Sequence, residues 1–148
     1  MNKILLPLSR VLFDSDMLLT RMMLAFSEFV WAILLLWDGC TFCGRPTYTG
    51  MSHVMNEEAW GFIFLLSGVT QLTIVLNECY HDTWARFFAG WNAGLWTFVV
   101  VAMLMSVYPP PAAISAEIIM SLSAIWLWVR PYILADIYTK GYSRARAK

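Results

Sequence analysis

The fold is decided by an apolar hairpin whose first arm reads Ala59-Trp-Gly-Phe-Ile-Phe-Leu-Leu-Ser-Gly-Val-Thr-Gln-Leu-Thr-Ile-Val-Leu76. Its second arm runs from Phe87 to Val107, and a short polar turn from Asn77 to Arg86 joins the two arms. Each arm is long enough to cross a membrane as a helix, because an α-helix rises about 1.5 Å per residue and the hydrocarbon core is about 30 Å thick. Neither arm alternates with a period of two, so helices are favoured over barrel strands.

The composition of the whole chain is typical of a membrane protein. Hydrophobic residues make up 59% of the chain, charged residues only 14%, and the mean hydropathy is +0.61. A soluble domain has about 25% charged residues. The 148 residues are enough for one domain. Three cysteines are too few for a disulfide scaffold, and the first residues do not have the pattern of a cleavable signal peptide.

Two further helices complete a predicted all-α, four-helix transmembrane bundle. The expected spans are residues 17–37, 59–77, 86–107 and 112–130. Before the first span, Ile4–Phe13 is amphipathic, which is typical of a short helix lying in the membrane interface. Asp14-Ser15-Asp16 then offers side chains that can cap the first span. Pro131 is expected to break or bend the last helix and to start a basic cytoplasmic tail over residues 131–148.

The cationic residues predict the orientation of the bundle. With four spans, nine of the ten Lys and Arg residues fall on one side of the membrane: Lys3, Arg10, Arg21, Arg86, Arg130, Lys140, Arg144, Arg146 and Lys148. The other side has only Arg45. The positive-inside rule therefore places both termini in the cytoplasm. Arg21 is expected to extend its side chain to the nearby surface, and most Trp residues are expected to anchor helix ends at the interface.

Polar residues inside the predicted spans are the first candidates for function. Glu28 lies near the middle of the first span, Gln71 in the second, and Glu117 in the outer half of the fourth. Ionisable groups inside a bilayer cost about 2.5 kcal/mol or more on insertion scales, so they usually face the bundle interior. We expect Glu28 to approach Glu117 or Gln71. Such a pair is either a proton or cation site with one carboxyl protonated, or a neutral hydrogen-bonded contact that stabilises packing.

Small residues predict where helices approach one another. Gly61 and Gly68 share a stripe on the second span with Gln71, and the third span contains Gly90-x-x-x-Gly94. Asn92 lies on the side opposite these two glycines, since two residues are about 200° apart on a helix. The third span therefore has two faces that favour protein contact. One packs in the hairpin, and the other predicts a further helix from this chain, from a second copy in a homo-oligomer or from a membrane protein partner.

Cys40 and Cys43 form a Cys-x-x-Cys pair in the long outer loop over residues 38–56. A structural disulfide, two free thiols and a redox-active pair are all compatible with this spacing. The pair is similar to that of four-helix, quinone-linked thiol oxidases of the disulfide-bond-formation type. Those enzymes need a second Cys pair in their second outer loop, whereas residues 108–111 contain none and Cys79 is predicted to be cytoplasmic. His53 alone is not enough for zinc, so no metal site is predicted.

Several Trp and Gly spacings occur between Trp60 and Pro131. They are Trp60-Gly61-x-x-Phe64, Gly68-x-x-Gln71-Leu72, Gly94-x-Trp96-x-Phe98 and Trp126-Leu-Trp128. Together with the polar turn and the proline-rich break, this half of the chain resembles small multi-span membrane proteins encoded by tailed bacteriophages. The resemblance implies a phage gene product that acts in a bacterial inner membrane. It implies no catalytic residues.

The chain lacks a nucleotide-binding loop, a nucleophile–base pair and a phosphate-binding pattern, so no enzyme activity, cofactor or nucleic-acid partner is expected. The predicted function is that of a non-enzymatic, phage-encoded inner-membrane protein. It would act in the lipid bilayer by assembly or partner binding, in host takeover, superinfection exclusion or genome entry. Alternatives are a holin-like pore lined by Glu28, Gln71, Asn92 and Glu117, a proton-coupled small transporter, and a periplasm-facing thiol redox protein.

Overall fold

Four helices are long and apolar enough to cross a membrane, as predicted: Met17–Leu36, Glu57–Leu76, Thr83–Ser106 and Ile114–Leu134. The structure, a computed structural model, describes the backbone of residues 2–37, 40–77, 83–107, 112 and 114–146. Side chains are described for residues 17–37, 40–77, 83–107, 112 and 114–134. Throughout these ranges all regular structure is helical. The elements are α1 (Asn2–Leu36), a 3₁₀ helix (Pro46–Tyr48), α2 (Thr49–Ser52), α3 (Glu57–Leu76), α4 (Thr83–Ser106) and α5 (Ile114–Arg146).

The bundle consists of two closely packed helix pairs. α1 packs along α3, and α4 packs along α5, whereas α3 and α4 contact each other much less. Leu24, Phe64, Trp96 and Val99 are fully buried at the centre of the bundle. Large apolar side chains also cover the outside, where Phe26 is 71% exposed. An apolar outer surface of this extent is favourable against lipid tails and unfavourable against water.

The N-terminal segment does not form the separate interfacial helix that the sequence predicts. α1 runs without a break from Asn2 to Leu36, so Asp14-Ser15-Asp16 lies inside a helix and not at the start of one. Extending an existing helix adds one hydrogen bond for each residue that is fixed, whereas starting a new helix requires costly nucleation. Three residues of modest helix propensity, at most about 0.7 kcal/mol each, are not enough to end the helix.

The C-terminal segment also differs from the prediction. Pro131 lies inside α5, which continues to Arg146 instead of ending at residue 130. A proline removes one backbone donor and therefore one helical hydrogen bond, and a long membrane helix can tolerate that loss. Residues 131–146 are thus helical, and the charged side chains of this tail lie outside the described ones.

Tryptophan is used for the core as well as for the interface. Trp60 is 3% exposed and Trp96 is 1% exposed, so neither acts as an interfacial anchor. The Trp60 Nε1–H donates to the carbonyl oxygen of Met51 at 3.0 Å, which connects α3 to α2. Trp37 and Trp84 lie at helix ends and are largely exposed, in agreement with the predicted anchoring. Asn56 caps α3 as its sequence position suggests, because its side chain accepts from the Ala59 N–H at 3.1 Å.

The outer loop is more ordered than its Gly- and Pro-containing sequence suggests. Its 3₁₀ helix and α2 pack on the end of α4. The Gly50 N–H donates to Ser106 Oγ at 2.8 Å. A Cβ at Gly50 would lie 2.7 Å from the carbonyl oxygen of Ala102, so only glycine allows α2 to approach α4 this closely.

Candidate functional site

Four polar side chains face one another in the interior of the bundle. Glu28 and Gln71 are 0% exposed, Asn92 is 1% exposed and Arg21 is 2% exposed. They come from α1, α3 and α4, and all lie within the candidate spans. Burying a polar group costs free energy unless the group forms hydrogen bonds, so we describe the site by the hydrogen bonds of each side chain. We call this set the polar core.

Arg21 does not extend to the surface as predicted. Its Nη1 donates to Gln71 Oε1 at 2.6 Å, and its Nη2 donates to the Ala85 carbonyl oxygen at 3.2 Å. One guanidinium therefore connects α1 to both α3 and α4. The residue lies seven positions before Glu28, which is two helical turns and therefore the same face. That spacing is the sequence signal that would have placed Arg21 in the interior.

Glu28 lies against two neighbouring helices. The Trp96 Nε1–H of α4 donates to Glu28 Oε1 at 3.4 Å, a long hydrogen bond. On the other side, a Cβ at Gly68 of α3 would lie 3.3 Å from the Glu28 Cβ, so this glycine gives the glutamate room. Trp96 is the partner that the sequence did not indicate, because a buried Trp and an interfacial Trp have the same sequence pattern.

Several polar atoms of the polar core have no hydrogen-bond partner in the structure. They are Glu28 Oε2, Gln71 Nε2, Asn92 Nδ2 and Asn92 Oδ1. Asn92 was predicted to lie on a face of its helix opposite Gly90 and Gly94, and that face is directed into the bundle of the same chain. Glu28 forms no hydrogen bond with Gln71 or Glu117, so the direct pairing considered from the sequence is not observed.

Glu117 lies apart from the polar core, beside a small cavity of about 140 Å³ between α1, α4 and α5. Phe26, Trp31, Trp96 and Met120 are among its lining residues. Glu117 is 8% exposed, and its Oε2 has no partner in the structure. Trp96 therefore lies between the two acids, because its indole N–H bonds Glu28 and its ring lines the cavity beside Glu117.

Three aromatic rings close the bundle on the outer-loop side of Glu28. Ring centroids are 5.4 Å apart for Trp31 and Phe64, 5.5 Å for Phe64 and Trp96, and 6.5 Å for Trp31 and Trp96. Trp31 lies three residues beyond Glu28, and Phe64 lies four residues before Gly68 on the antiparallel α3. Both positions place the rings nearer the outer loop than Glu28. We call Trp31, Phe64 and Trp96 the aromatic cluster.

A second candidate site is an apolar groove on the outside of the bundle, between α3 and α4. It has a volume of about 370 Å³, and its lining residues include Trp60, Ile63, Trp91, Gly94 and Phe98. Trp60 stacks on Phe98 with centroids 5.4 Å apart, and the Trp91 Nε1–H donates to Ser67 Oγ at 2.9 Å. These two contacts bridge α3 and α4 at the ends of the groove.

The predicted packing glycines have different environments. A Cβ at Gly61 would lie 2.7 Å from Leu36 Cγ, so Gly61 and Gly68 both serve the contact of α3 with α1. A Cβ at Gly90 would lie 3.0 Å from Trp128 Nε1 of α5. Gly94 differs from the others, because a Cβ there would have nothing within 4 Å. Gly94 therefore lines the groove, and it packs against no other helix among the described residues.

The outer loop contains an internal disulfide and is bonded to the start of α3 through a carboxylate. Cys40 and Cys43 are joined in a disulfide with a Cα–Cα distance of 5.2 Å, one of the alternatives left open by the sequence. The Glu57 carboxylate accepts from the Thr41 N–H at 2.6 Å and from the Phe42 N–H at 3.2 Å. Cys79 and residues 108–111 lie outside the described residues. Within the described part, no group of three or more His, Cys, Asp and Glu residues lies close enough to hold a metal.

No family model, curated protein or solved structure matches the chain. The resemblance to phage membrane proteins stays a prediction. Function must therefore be inferred from the polar core, the groove and the outer loop.

Proposed function

We propose that the chain is a phage-encoded, multi-pass protein of a bacterial inner membrane that acts without catalysis, by docking another membrane segment in the groove between α3 and α4. Its termini lie in the cytoplasm, and its outer loop faces the periplasm. The docked segment belongs to a second copy of the chain or to a host membrane protein. Host takeover, superinfection exclusion and genome entry are the processes in which such docking would serve a phage.

The open position at Gly94 is the observation that carries the proposal. Membrane helices associate through small residues that let backbones approach closely, because lipid tails provide no hydrophobic driving force between helices. Gly61, Gly68 and Gly90 already have partners within the chain, whereas a Cβ at Gly94 would have nothing within 4 Å. Phe98 and Trp91 beside it are 37% and 47% exposed, so the groove presents apolar walls to an incoming side chain.

The nine-to-one distribution of Lys and Arg supports the orientation of the proposed protein. The phage assignment depends on the Trp and Gly spacings between Trp60 and Pro131. It predicts that expression of the chain changes how a host cell responds to phage.

The packing favours docking over a holin-like pore. Glu28, Gln71 and Asn92 face the interior of one chain, and each is at most 1% exposed. A pore between copies that used these side chains would require the bundle to open first. The surface that is exposed for contact between two copies is apolar, and the groove is part of that surface.

The test compares Gly94→Leu with Val101→Leu, a change on an exposed position of the same helix. We expect Gly94→Leu to fold like the parent, within about 0.5 kcal/mol, because the added side chain enters open space. It should lower the oligomer fraction in nanodiscs or abolish phage exclusion on plating, whereas Val101→Leu should match the parent in both assays.

Two results would contradict the proposal. In one, the Gly94→Leu variant equals the parent in both oligomer mass and plating efficiency, which would show that the groove binds nothing relevant. In the other, expression of the parent collapses the membrane potential at a defined time, which would favour the pore. Potential is measured with a voltage-sensitive dye in the same cultures.

A further inference from the structure

We propose that Glu28 is a proton-exchange site that water reaches through the polar core, from the Arg21 end of the bundle. This inference does not depend on docking at the groove. It is carried by the four buried polar atoms of Glu28, Gln71 and Asn92 that have no partner in the structure.

Helix register places the other two residues with partnerless atoms, Gln71 and Asn92, on one side of Glu28. Gln71 is three residues along α3 from Gly68, which packs against Glu28, and Asn92 is four residues before Trp96, which bonds it. At a rise of about 1.5 Å per residue, these separations place Gln71 about 4.5 Å and Asn92 about 6 Å from the level of Glu28. Both lie toward Arg21, whose Nη1 bonds Gln71.

The chemistry of the four atoms identifies the ligand. Gln71 Nε2 and Asn92 Nδ2 are donors, whereas Asn92 Oδ1 is an acceptor and Glu28 Oε2 is an acceptor or, when protonated, a donor. A metal cation would satisfy only the acceptors, and an anion only the donors. Water can satisfy both, and buried waters typically make about three hydrogen bonds to such groups. The arrangement therefore fits water and, through water, a proton.

The groups around Glu28 favour proton exchange with water from the Arg21 end of the bundle. The aromatic cluster lies on the opposite side, and its rings provide no group that can relay a proton from the outer loop. Besides Glu28, the buried ionisable side chains among the described residues are Arg21 in the polar core and Glu117 and Arg130 on α5. Among the described buried residues, α3 and α4 have no ionisable side chain and contribute Gln71 and Asn92.

The exchange step is neutral overall. Glu28 in its acid form gives the Oε2 proton to a water hydrogen-bonded to it, and a proton from the same water chain replaces it. In heavy water, the O–H bond becomes an O–D bond and no net charge moves. The carboxyl carbonyl stretch then shifts to lower frequency, which makes the site visible by infrared spectroscopy.

The experiment records infrared spectra of the full chain in lipid bilayers after transfer to heavy water. Glu28→Gln assigns the carboxyl band of Glu28, and Glu117→Gln identifies the band of the other intramembrane acid. We expect the Glu28 band to exchange far faster than the backbone amides of α1 in the same sample. Both exchange rates are measured on the parent protein, and the variants serve only to assign the two carboxyl bands.

Asn92→Leu then tests the route. We expect it to slow Glu28 exchange by about tenfold or more, because exchange would have to wait for a local opening of the bundle. Thr70→Val, at a partly exposed position on α3 whose hydroxyl donates to the Leu66 carbonyl oxygen, is the matched control and should exchange like the parent. The proposal is overturned if Glu28 exchanges no faster than the α1 amides, if Asn92→Leu leaves the rate unchanged, or if sodium ions displace the exchangeable proton.

Discussion

At the scale of the residue, the outer loop can pack closely on α4 because Gly50 has no Cβ. Its N–H bonds Ser106 Oγ at 2.8 Å, and Ser106 Oγ in turn donates to the Ala102 carbonyl oxygen at 2.6 Å. The atom closest to a Cβ at Gly50 is backbone, which cannot move aside as a side chain can. Gly94 has the opposite environment, with nothing within 4 Å of a Cβ.

The pair Gly50→Ala and Gly94→Ala tests this contrast. We expect Gly50→Ala to lower the free energy of unfolding by about 1–3 kcal/mol, the usual cost of forcing extra atoms into a packed contact. Gly94→Ala should be neutral or slightly stabilising, since alanine is favoured over glycine in a helix by about 1 kcal/mol. Thermal unfolding in detergent measures both. Equal stabilities would show that α2 does not pack on α4 as described.

At the scale of the element, a single carboxylate holds the outer loop against the start of α3. Glu57 occupies the first turn, where the helix dipole already favours an anion. Its two oxygens accept the backbone N–H groups of Thr41 and Phe42, the two residues between the disulfide cysteines. A fixed loop also places Tyr48 edge-on to Trp31, with ring centroids 5.9 Å apart, above the aromatic cluster.

Glu57→Ala should release the loop, while Glu58→Ala provides a neighbouring control whose parent side chain is exposed. We expect a loss of about 2 kcal/mol for Glu57→Ala, because hydrogen bonds to charged groups contribute about 1.5–3 kcal/mol. The Cys40–Cys43 disulfide should also be reduced faster by a water-soluble thiol. Thermal unfolding and the rate of thiol release measure the two effects. If both variants behave alike, the Glu57 contact does not hold the loop.

At the scale of the whole molecule, the bundle is two tight helix pairs that share one apolar core and are also linked by polar and aromatic contacts. Arg21 connects α1 to α3 and α4, and Trp96 connects α4 to Glu28 of α1. The Thr97 and Ser121 hydroxyls, 2.9 Å apart, connect α4 to α5 near the Glu117 cavity. α3 and α4 pack against each other less closely, and the groove lies between them. Among the described residues, this arrangement gives a mostly apolar interior that encloses the polar core, an apolar exterior and a groove between α3 and α4.

The four-span arrangement predicts where reporters will be active. A reporter fused after Lys148, or inserted in residues 77–86, should be cytoplasmic, as the distribution of Lys and Arg indicates. A reporter inserted after Gly44 should be periplasmic. Gly44 suits the insertion because it has a positive φ of 68° and a Cβ there would have nothing within 4 Å. A periplasmic signal from the C-terminal fusion would contradict the four-span topology.

The sequence by itself determined the four long apolar helices that could cross a membrane. Long apolar runs without a period of two must form helices inside a bilayer, because lipid offers no hydrogen-bond partners and each backbone group must find its partner within its own segment. It also indicated that polar groups in the spans turn toward protein, and Glu28 and Gln71 are buried. For Asn92, it left open whether the facing helix belongs to this chain or to a partner. It misplaced the ends of α1 and α5. Weak stop signals such as Asp14-Ser15-Asp16 and Pro131 compete with continued helical hydrogen bonding, and local sequence does not show which effect is stronger.

Only the tertiary structure decided which polar groups pair. Arg21 bonds Gln71, Glu28 bonds Trp96, and Asn92 is buried without a partner, because helix rotation and register set these contacts. The same applies to the glycines. Gly61, Gly68, Gly90 and Gly94 look equivalent in the sequence, yet three meet a neighbouring helix and one faces an open groove. A residue's type limits what it can contact, whereas the packing of distant helices determines whether that contact exists.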